Sequence, residues 1–264
     1  MAERMRVDKL LAHMGFGTRS EIKKAVKGGK VTVEGKVVKD SGFIVDPFLH
    51  TVAFDGERVV YRNFIYLMLN KPQGVISATE DGRERTVVDL LKAEDRLLQP
   101  FPVGRLDKDT VGLLLLTNDG QLAHELLSPR MHVDKTYEAW VLGNVGQADA
   151  EAFAQGVRLD DGYVTMPAEL TVLEKRTAEG TSSDPVLHVE EKSSLSLIQL
   201  TIREGKFHQV KRMFESVGKR VLTLKRLAMG PLVLDEGLGL GQYRELTHEE
   251  VELLRGHRGK SKAE

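Results

Sequence analysis

The residues whose types and spacing are able to do chemistry begin with Arg105 and Asp107, in the stretch GRLDKDTVGLLLLTNDG over residues 104–120. A charged, turn-rich hexad, Arg105 to Thr110, runs into Gly112 and the apolar run Leu113 to Leu116. One reading is a solvated turn feeding a buried strand. The other is a carboxylate, Asp107, held beside an arginine on a rigid loop, where it would serve as nucleophile or base. Two further pieces call for a joint explanation. Lys206 stands in Glu204-Gly205-Lys206, at the start of an expected helix. A cation there opposes the helix macrodipole at about 0.3–1 kcal/mol. It makes sense beside a carboxylate such as Asp107, which it would keep ionised, or it simply points to water. Tyr137, in Lys135-Thr136-Tyr137, is either core filler in a strand or a flat face for an extruded base.

The elements that must position these groups are legible in the spacing. MRVDKLLAHMG places Val7, Leu10, Leu11 and Met14 at helical intervals. Thr18 and Glu21 form a capping box for a second helix, in which Ile22, Ala25 and Val26 give the apolar side and Gly28-Gly29 the end. KVTVEGKVV alternates about Glu34-Gly35 and predicts a hairpin. The segment from about Asp46 to Arg62, with Pro47 and a turn at Asp55-Gly56, reads as a connection. Beyond it FIYLMLN, GLLLLTN, KTYEAWVLG, IQLTI and RVLTLKRLAM predict strands. TVVDLL, QLAHELLS and THEEVELLR predict helices, the last with the capping box Thr247/Glu250. FHQVKRMFESVG predicts a helix with Phe207, Val210, Phe214 and Val217 on its apolar face. Strands outnumber helices without a βαβ rhythm. The class is therefore α+β, with a mixed or antiparallel sheet. Residues 176–194 read as a surface loop between strands and residues 255–264 as a disordered tail.

Composition limits the classes. The chain has 264 residues and no cysteine, which excludes disulfides, thiolate metal sites and a Cys nucleophile. The N-terminus has no long apolar segment and no run is long enough to span a membrane, so a cytoplasmic protein is expected. Nothing in the sequence calls for more than a monomer. Net charge is −1, but residues 1–39 carry +6 and residues 203–226 another +6, leaving −13 for the rest. Two basic blocks in a neutral chain fit a polyanion met at two places. No HExxH, Walker loop or GxGxxG occurs, so neither metal nor cofactor is expected.

The N-terminal stretch RVDKLLAHMGFGTRSEIKKAVKGGKVTVEGKVV resembles the S4 RNA-binding domain. That implies a basic helix face on structured RNA, with Arg6, Lys9, Arg19, Lys23, Lys24 and Lys27 as contacts. GRLDKDTVGLLLLTNDG, preceded by LNKPQG at 69–74 and followed by KTY at 135–137 and EGKFHQVKRMF at 204–214, resembles the signature of the pseudouridine synthases of the Rsu and Rlu type. The resemblance covers nearly the whole chain, with an S4-like domain at 1–60 and a catalytic domain at 63–254. It implies a cofactor-independent isomerisation with Asp107 as nucleophile. It also implies that Arg105 replaces the extruded nucleotide or holds the loop, Tyr137 stacks on the target base, and Lys206 pairs with Asp107, although relatives often have Arg at that place. Lys71, His208, Gln209, Lys211 and Arg212 would contact RNA. Within the family the wording is closest to the small-subunit enzymes. The implied partner is therefore 16S rRNA or a partly assembled small ribosomal subunit, at the uridine conventionally called 516, with no membrane.

Overall fold

A computed structural model describes residues 4–178, 189 and 192–256. The chain divides into two compact units. The first runs to Ile65 and takes in Leu91–Pro100 as well. It contains β1 (Met5–Arg6), α1 (Val7–His13), α2 (Arg19–Lys27), β2 (Val31–Val33), β3 (Lys36–Val37), β4 (Ile44–Val45), β5 (Val52–Phe54), β6 (Glu57–Arg58) and α3 (Ala93–Arg96). Thr18 caps α2 with Glu21 as the spacing requires. Glu34 and Gly35 both take positive φ, 50° and 73°, which matches the twist a two-residue hairpin needs. Leu10, Leu11, Ile22 and Val26 pack on Val31, Val45 and Val52. The expected connection after Asp46 is instead structured. β5 and β6 form a second hairpin and extend the sheet to the order β3-β2-β5-β6. A run of only three alternating residues was too short to show as a strand.

The second unit holds Tyr66–Leu90 and the chain from Phe101 onward. It contains β7 (Tyr66–Lys71), β8 (Phe101–Pro102), β9 (Val111–Thr117), α4 (Gly120–Leu127), β10 (Lys135–Leu142), α5 (Gln147–Gln155), β11 (Glu169–Thr177), β12 (Ser194–Ile202), α6 (Gln209–Ser216), β13 (Arg220–Met229), β14 (Leu232–Val233), β15 (Tyr243–Glu245) and α7 (His248–Gly256). The main sheet runs β11-β12-β10-β13-β9-β7-β15, with β8 on β9 and β14 on β13. Among the described residues every strand pairing is antiparallel except β9 with β13, so the class is α+β with a mixed sheet. Leu67 to Leu69 and Leu113 to Leu116 are fully buried. Their continuous apolar runs belong to strands covered on both faces.

Several expectations are corrected. TVVDLL forms only a 3₁₀ turn at Val88–Leu90. α5 went unanticipated because its many alanines leave no marked apolar stripe. β11 reaches Thr177, so the loop before β12 is shorter than 176–194, and most of it lies outside the described residues. Arg255 and Gly256 belong to α7, and the rest of the expected tail lies outside the described residues. Phe207 is not on the apolar face of α6, which Val210, Met213 and Phe214 fill. His208 takes φ +48°, and this kink breaks the helical register one residue before α6 begins.

Candidate active site

Asp107 lies in the segment that joins β8 to β9, and buried groups hold that segment rigid. Lys71, the last residue of β7, is 0% exposed. Its Nζ donates to the carbonyls of Pro72 (3.1 Å), Asp107 (2.9 Å) and Thr110 (2.9 Å). Burial pushes the Lys71 ammonium down to about 8, against the pull of Asp109 and Asp107. Ser77 Oγ donates to Leu106 O at 2.9 Å and accepts from Leu106 N at 3.0 Å. The Thr110 amide closes the turn on Asp107 O at 3.1 Å. Gly112 follows at φ +101°, and a Cβ there would lie 2.3 Å from Arg226 O. Only glycine allows β9 to meet β13 so closely.

The Asp107 carboxylate faces α6. Lys211 Nζ lies 3.1 Å from Asp107 Oδ2, and 2.7 and 2.9 Å from the two oxygens of Asp109. His208 Nε2 is 3.6 Å from Asp107 Oδ1. Burial pushes the Asp109 carboxyl up, but its hydrogen bond and charge pairing with Lys211 outweigh that and hold it below the ordinary value. Burial lowers Lys211, and the two carboxylates more than reverse this. The result is a carboxylate paired with Lys211, 30% exposed, on a turn with little freedom.

Asp107 opens on a cavity of about 560 Å³, a size suited to a small ligand or a single extruded nucleotide. Tyr137 on β10 forms one buried wall, and Arg105 stands exposed on the rim. Arg226 on β13 is 2% exposed. Its Nε donates to Leu113 O at 2.8 Å, while its Nη2 has no partner among the described residues. Lys135 is pushed down to about 8 by burial and by Arg226, with Asp134 and Glu204 opposing. Such a cavity, basic except at Asp107 and Glu204, would accept an anionic ligand and present one carboxylate to it.

Residues 65–216 match the model of the RNA pseudouridylate synthase family, and residues 5–48 match the S4 domain. The chain belongs to the RNA pseudouridylate synthase family. The synthase is 52% identical over 250 residues to the uncharacterized RNA pseudouridine synthase YtzG of Bacillus subtilis (strain 168), covering 95% of this chain and 98% of that one. It is 39% identical to ribosomal small subunit pseudouridine synthase A of Salmonella typhimurium, over 94% of this chain and 98% of the other. It is 40% identical to ribosomal large subunit pseudouridine synthase B of Bacillus subtilis, over 95% of each. A crystal structure of a pseudouridylate synthase superposes with a TM-score of 0.61 at 34% identity, covering 95% of this chain and 99% of that one.

The synthase brings Arg105, Asp107, Tyr137, Lys206, His208 and Lys211 to one cavity. It does not pair Lys206 with Asp107. Lys211 makes that contact, and the Lys206 ammonium lies over the Tyr163 ring, 4.5 Å from its centroid. The helix dipole disfavours a cation at the start of α6 but does not say which cation turns toward Asp107. His208 and Lys211 both approach Asp107, but the left-handed His208 lies outside α6, so helical spacing carried no signal for the pair. Lys71 and Gln209 are both buried rather than on an exposed RNA-facing surface, although Gln209 still lines the cavity. Gln209 accepts from Lys206 N at 2.9 Å and donates to Glu204 at 2.7 Å, fixing the approach to α6. Arg212 is committed to Asp160 and Asp161. Arg226 was missed, although alternation in RVLTLKRLAM puts it on the same face as buried Leu224.

In the first unit, Lys9, Arg19, Lys23, Lys24 and Lys27 are exposed. Arg19, Lys23 and Lys27 recur every four residues and form one stripe along α2. Arg6 is held by Asp8 through contacts of 3.1 and 2.7 Å.

Proposed function

We propose that the synthase converts one uridine of 16S rRNA, the position conventionally called 516, to pseudouridine with Asp107 as the catalytic nucleophile. The observation that carries this reading is Asp107, its turn fixed from behind by Lys71 on its main-chain carbonyl and by Ser77 on Leu106, its carboxylate held by Lys211, at the mouth of a cavity of nucleotide size. The reaction is an isomerisation. The bond from N1 to C1′ breaks, a bond from C5 to C1′ forms, one proton leaves C5 and one joins N1. No atom is gained or lost, and the base turns within the cavity.

The residues supply what this requires. Lys211 holds the carboxylate in place through its 3.1 Å contact. Tyr137 offers a flat wall for the base, and Arg105 is free on the rim to fill the gap that the extruded nucleotide leaves, a step that costs a few kcal/mol in unstacking. The α2 stripe docks the RNA by its phosphates. The substrate is 16S rRNA, naked or in a partly assembled small subunit, and the synthase acts as a cytoplasmic monomer.

A second reading, the same reaction on 23S rRNA, is favoured by one observation. Identity to the large-subunit enzyme, 40%, is within one percentage point of that to the small-subunit enzyme, 39%. Carbodiimide primer extension on rRNA from a deletion strain separates the two. A stop lost from 16S supports the first reading, and a stop lost from 23S replaces it with the second.

A further inference from the structure

The ion pair made by Lys211 leaves Lys206 and Phe207 outside the chemistry, yet both line the cavity of Asp107. Phe207 is 72% exposed. A phenylalanine ring in water forgoes the burial that favours most of its kind, and here the backbone holds it out. His208 at φ +48° adopts a left-handed conformation that residues other than glycine seldom take. The kink turns residue 207 away from the apolar face of α6. The Phe207 ring then stacks on His208, with centroids 3.7 Å apart and planes inclined by 20°. One face is covered and the other is left to solvent.

The neighbouring side chains are fixed as well. Tyr163 donates its hydroxyl to Glu204 at 2.5 Å, and Glu204 also accepts from Met166 N at 2.8 Å. Lys206 rests its ammonium over that anchored ring. A held aromatic face next to a cation is the combination that single-stranded RNA uses, base on ring and phosphate on cation.

We infer that Phe207 and Lys206 form a subsite for the nucleotide adjoining the target uridine, the Phe207 ring stacking on its base and the Lys206 ammonium meeting its phosphate. The inference rests on the reading that Asp107 acts on a uridine within RNA. Extrusion of that uridine strips its neighbour of a stacking partner, and the free face of Phe207 replaces it.

The test uses the full chain with Phe207→Leu, Phe207→Tyr, Phe207→Trp and Lys206→Gln, on 16S and 23S rRNA transcripts. Filter binding and single-turnover tritium release are measured for each. Phe207→Leu keeps apolar bulk but loses the π-face. It should fall at least ~5-fold in kcat/KM on the transcript that the parent protein modifies, the low end for a stacked base. Phe207→Tyr should stay within about twofold by the same measure. Lys206→Gln should reduce the logarithmic salt slope of binding by ~0.7–0.9. In Phe207→Trp, RNA should quench the new indole beyond any change at Trp140 in the parent. Parent-like activity of Phe207→Leu, or RNA bound with no added quench, overturns the subsite. Quenching needs only binding. A parent protein that binds RNA and modifies neither transcript, bare or assembled with ribosomal proteins, contradicts the Asp107 reading, while the quench still decides the subsite.

Discussion

Two carboxylates compete for one ammonium at this site. Lys211 lies nearer to Asp109, at 2.7 Å, than to Asp107, at 3.1 Å, so Asp109 anchors the lysine and Asp107 shares it. Asp109 thereby supports the site without entering the cavity. Lys71 behind the turn and Lys135 on the cavity wall are both pushed down to about 8 by burial. Each donates to main-chain carbonyls, Lys135 to Val133 O at 2.8 Å. A profile of kcat against pH should fall as pH rises through about 8, because the deprotonated amines hold these carbonyls less well. Stability should move the other way. With folded pKa values below the unfolded ones, the unfolded chain binds more protons between about 8 and 10.5, so stability rises with pH there. Urea midpoints at pH 8 and 9.5 check the sign. Lys71→Met leaves the carbonyls of Asp107 and Thr110 short of a donor and should cost about 2–4 kcal/mol by urea titration, with most of the turnover. Asp107 stood out through the resemblance of GRLDKDTVGLLLLTNDG to the family signature, since its spacing alone fitted a solvated turn as well. Lys71 did not, since a lysine at a strand end reads as exposed until the turn above it is known.

The elements matter through the places where they touch. β9 and β13 form the one parallel pair of the main sheet, and Gly112 permits their approach at the point where Arg226 reaches Leu113 O. Gly112→Ala should destabilise the second unit by ~1–3 kcal/mol, through strain at positive φ and the clash with Arg226 O. Turnover should fall further than stability explains, because the shift moves the turn that carries Asp107. Thermal melts beside single-turnover rates separate the two effects. The long strands and capped helices were readable, their periods being sustained and their caps local. α6 was readable as a helix but not in register, because the left-handed His208 leaves no mark in a hydrophobic pattern. The β5–β6 hairpin was lost to shortness, and α5 to a composition poor in contrast.

At the scale of the whole molecule, the net charge of −1 conceals two basic regions with separate tasks. The one in the first unit is an exposed stripe on α2. The one over residues 203–226 is largely spent inside the second unit, with Lys211 on Asp107, Arg212 on Asp160 and Asp161, and Arg226 buried. Counting charges therefore pointed to the partner correctly but overstated the second docking surface. Neutralising Lys23, Lys24 and Lys27 together should weaken RNA binding and reduce its logarithmic salt slope by ~2–3, about 0.9 for each phosphate no longer neutralised. The single-turnover rate at saturating RNA should stay near that of the parent. The measurement that reaches furthest is tritium release from 5-³H-uridine rRNA transcripts by the parent chain and by Asp107→Asn, with binding followed in parallel. With Asp107 as the nucleophile, the parent releases tritium and forms pseudouridine. The variant binds with turnover reduced ~10⁴-fold or more, as for other lost nucleophiles. Tritium release by Asp107→Asn at a rate close to the parent's would contradict that role.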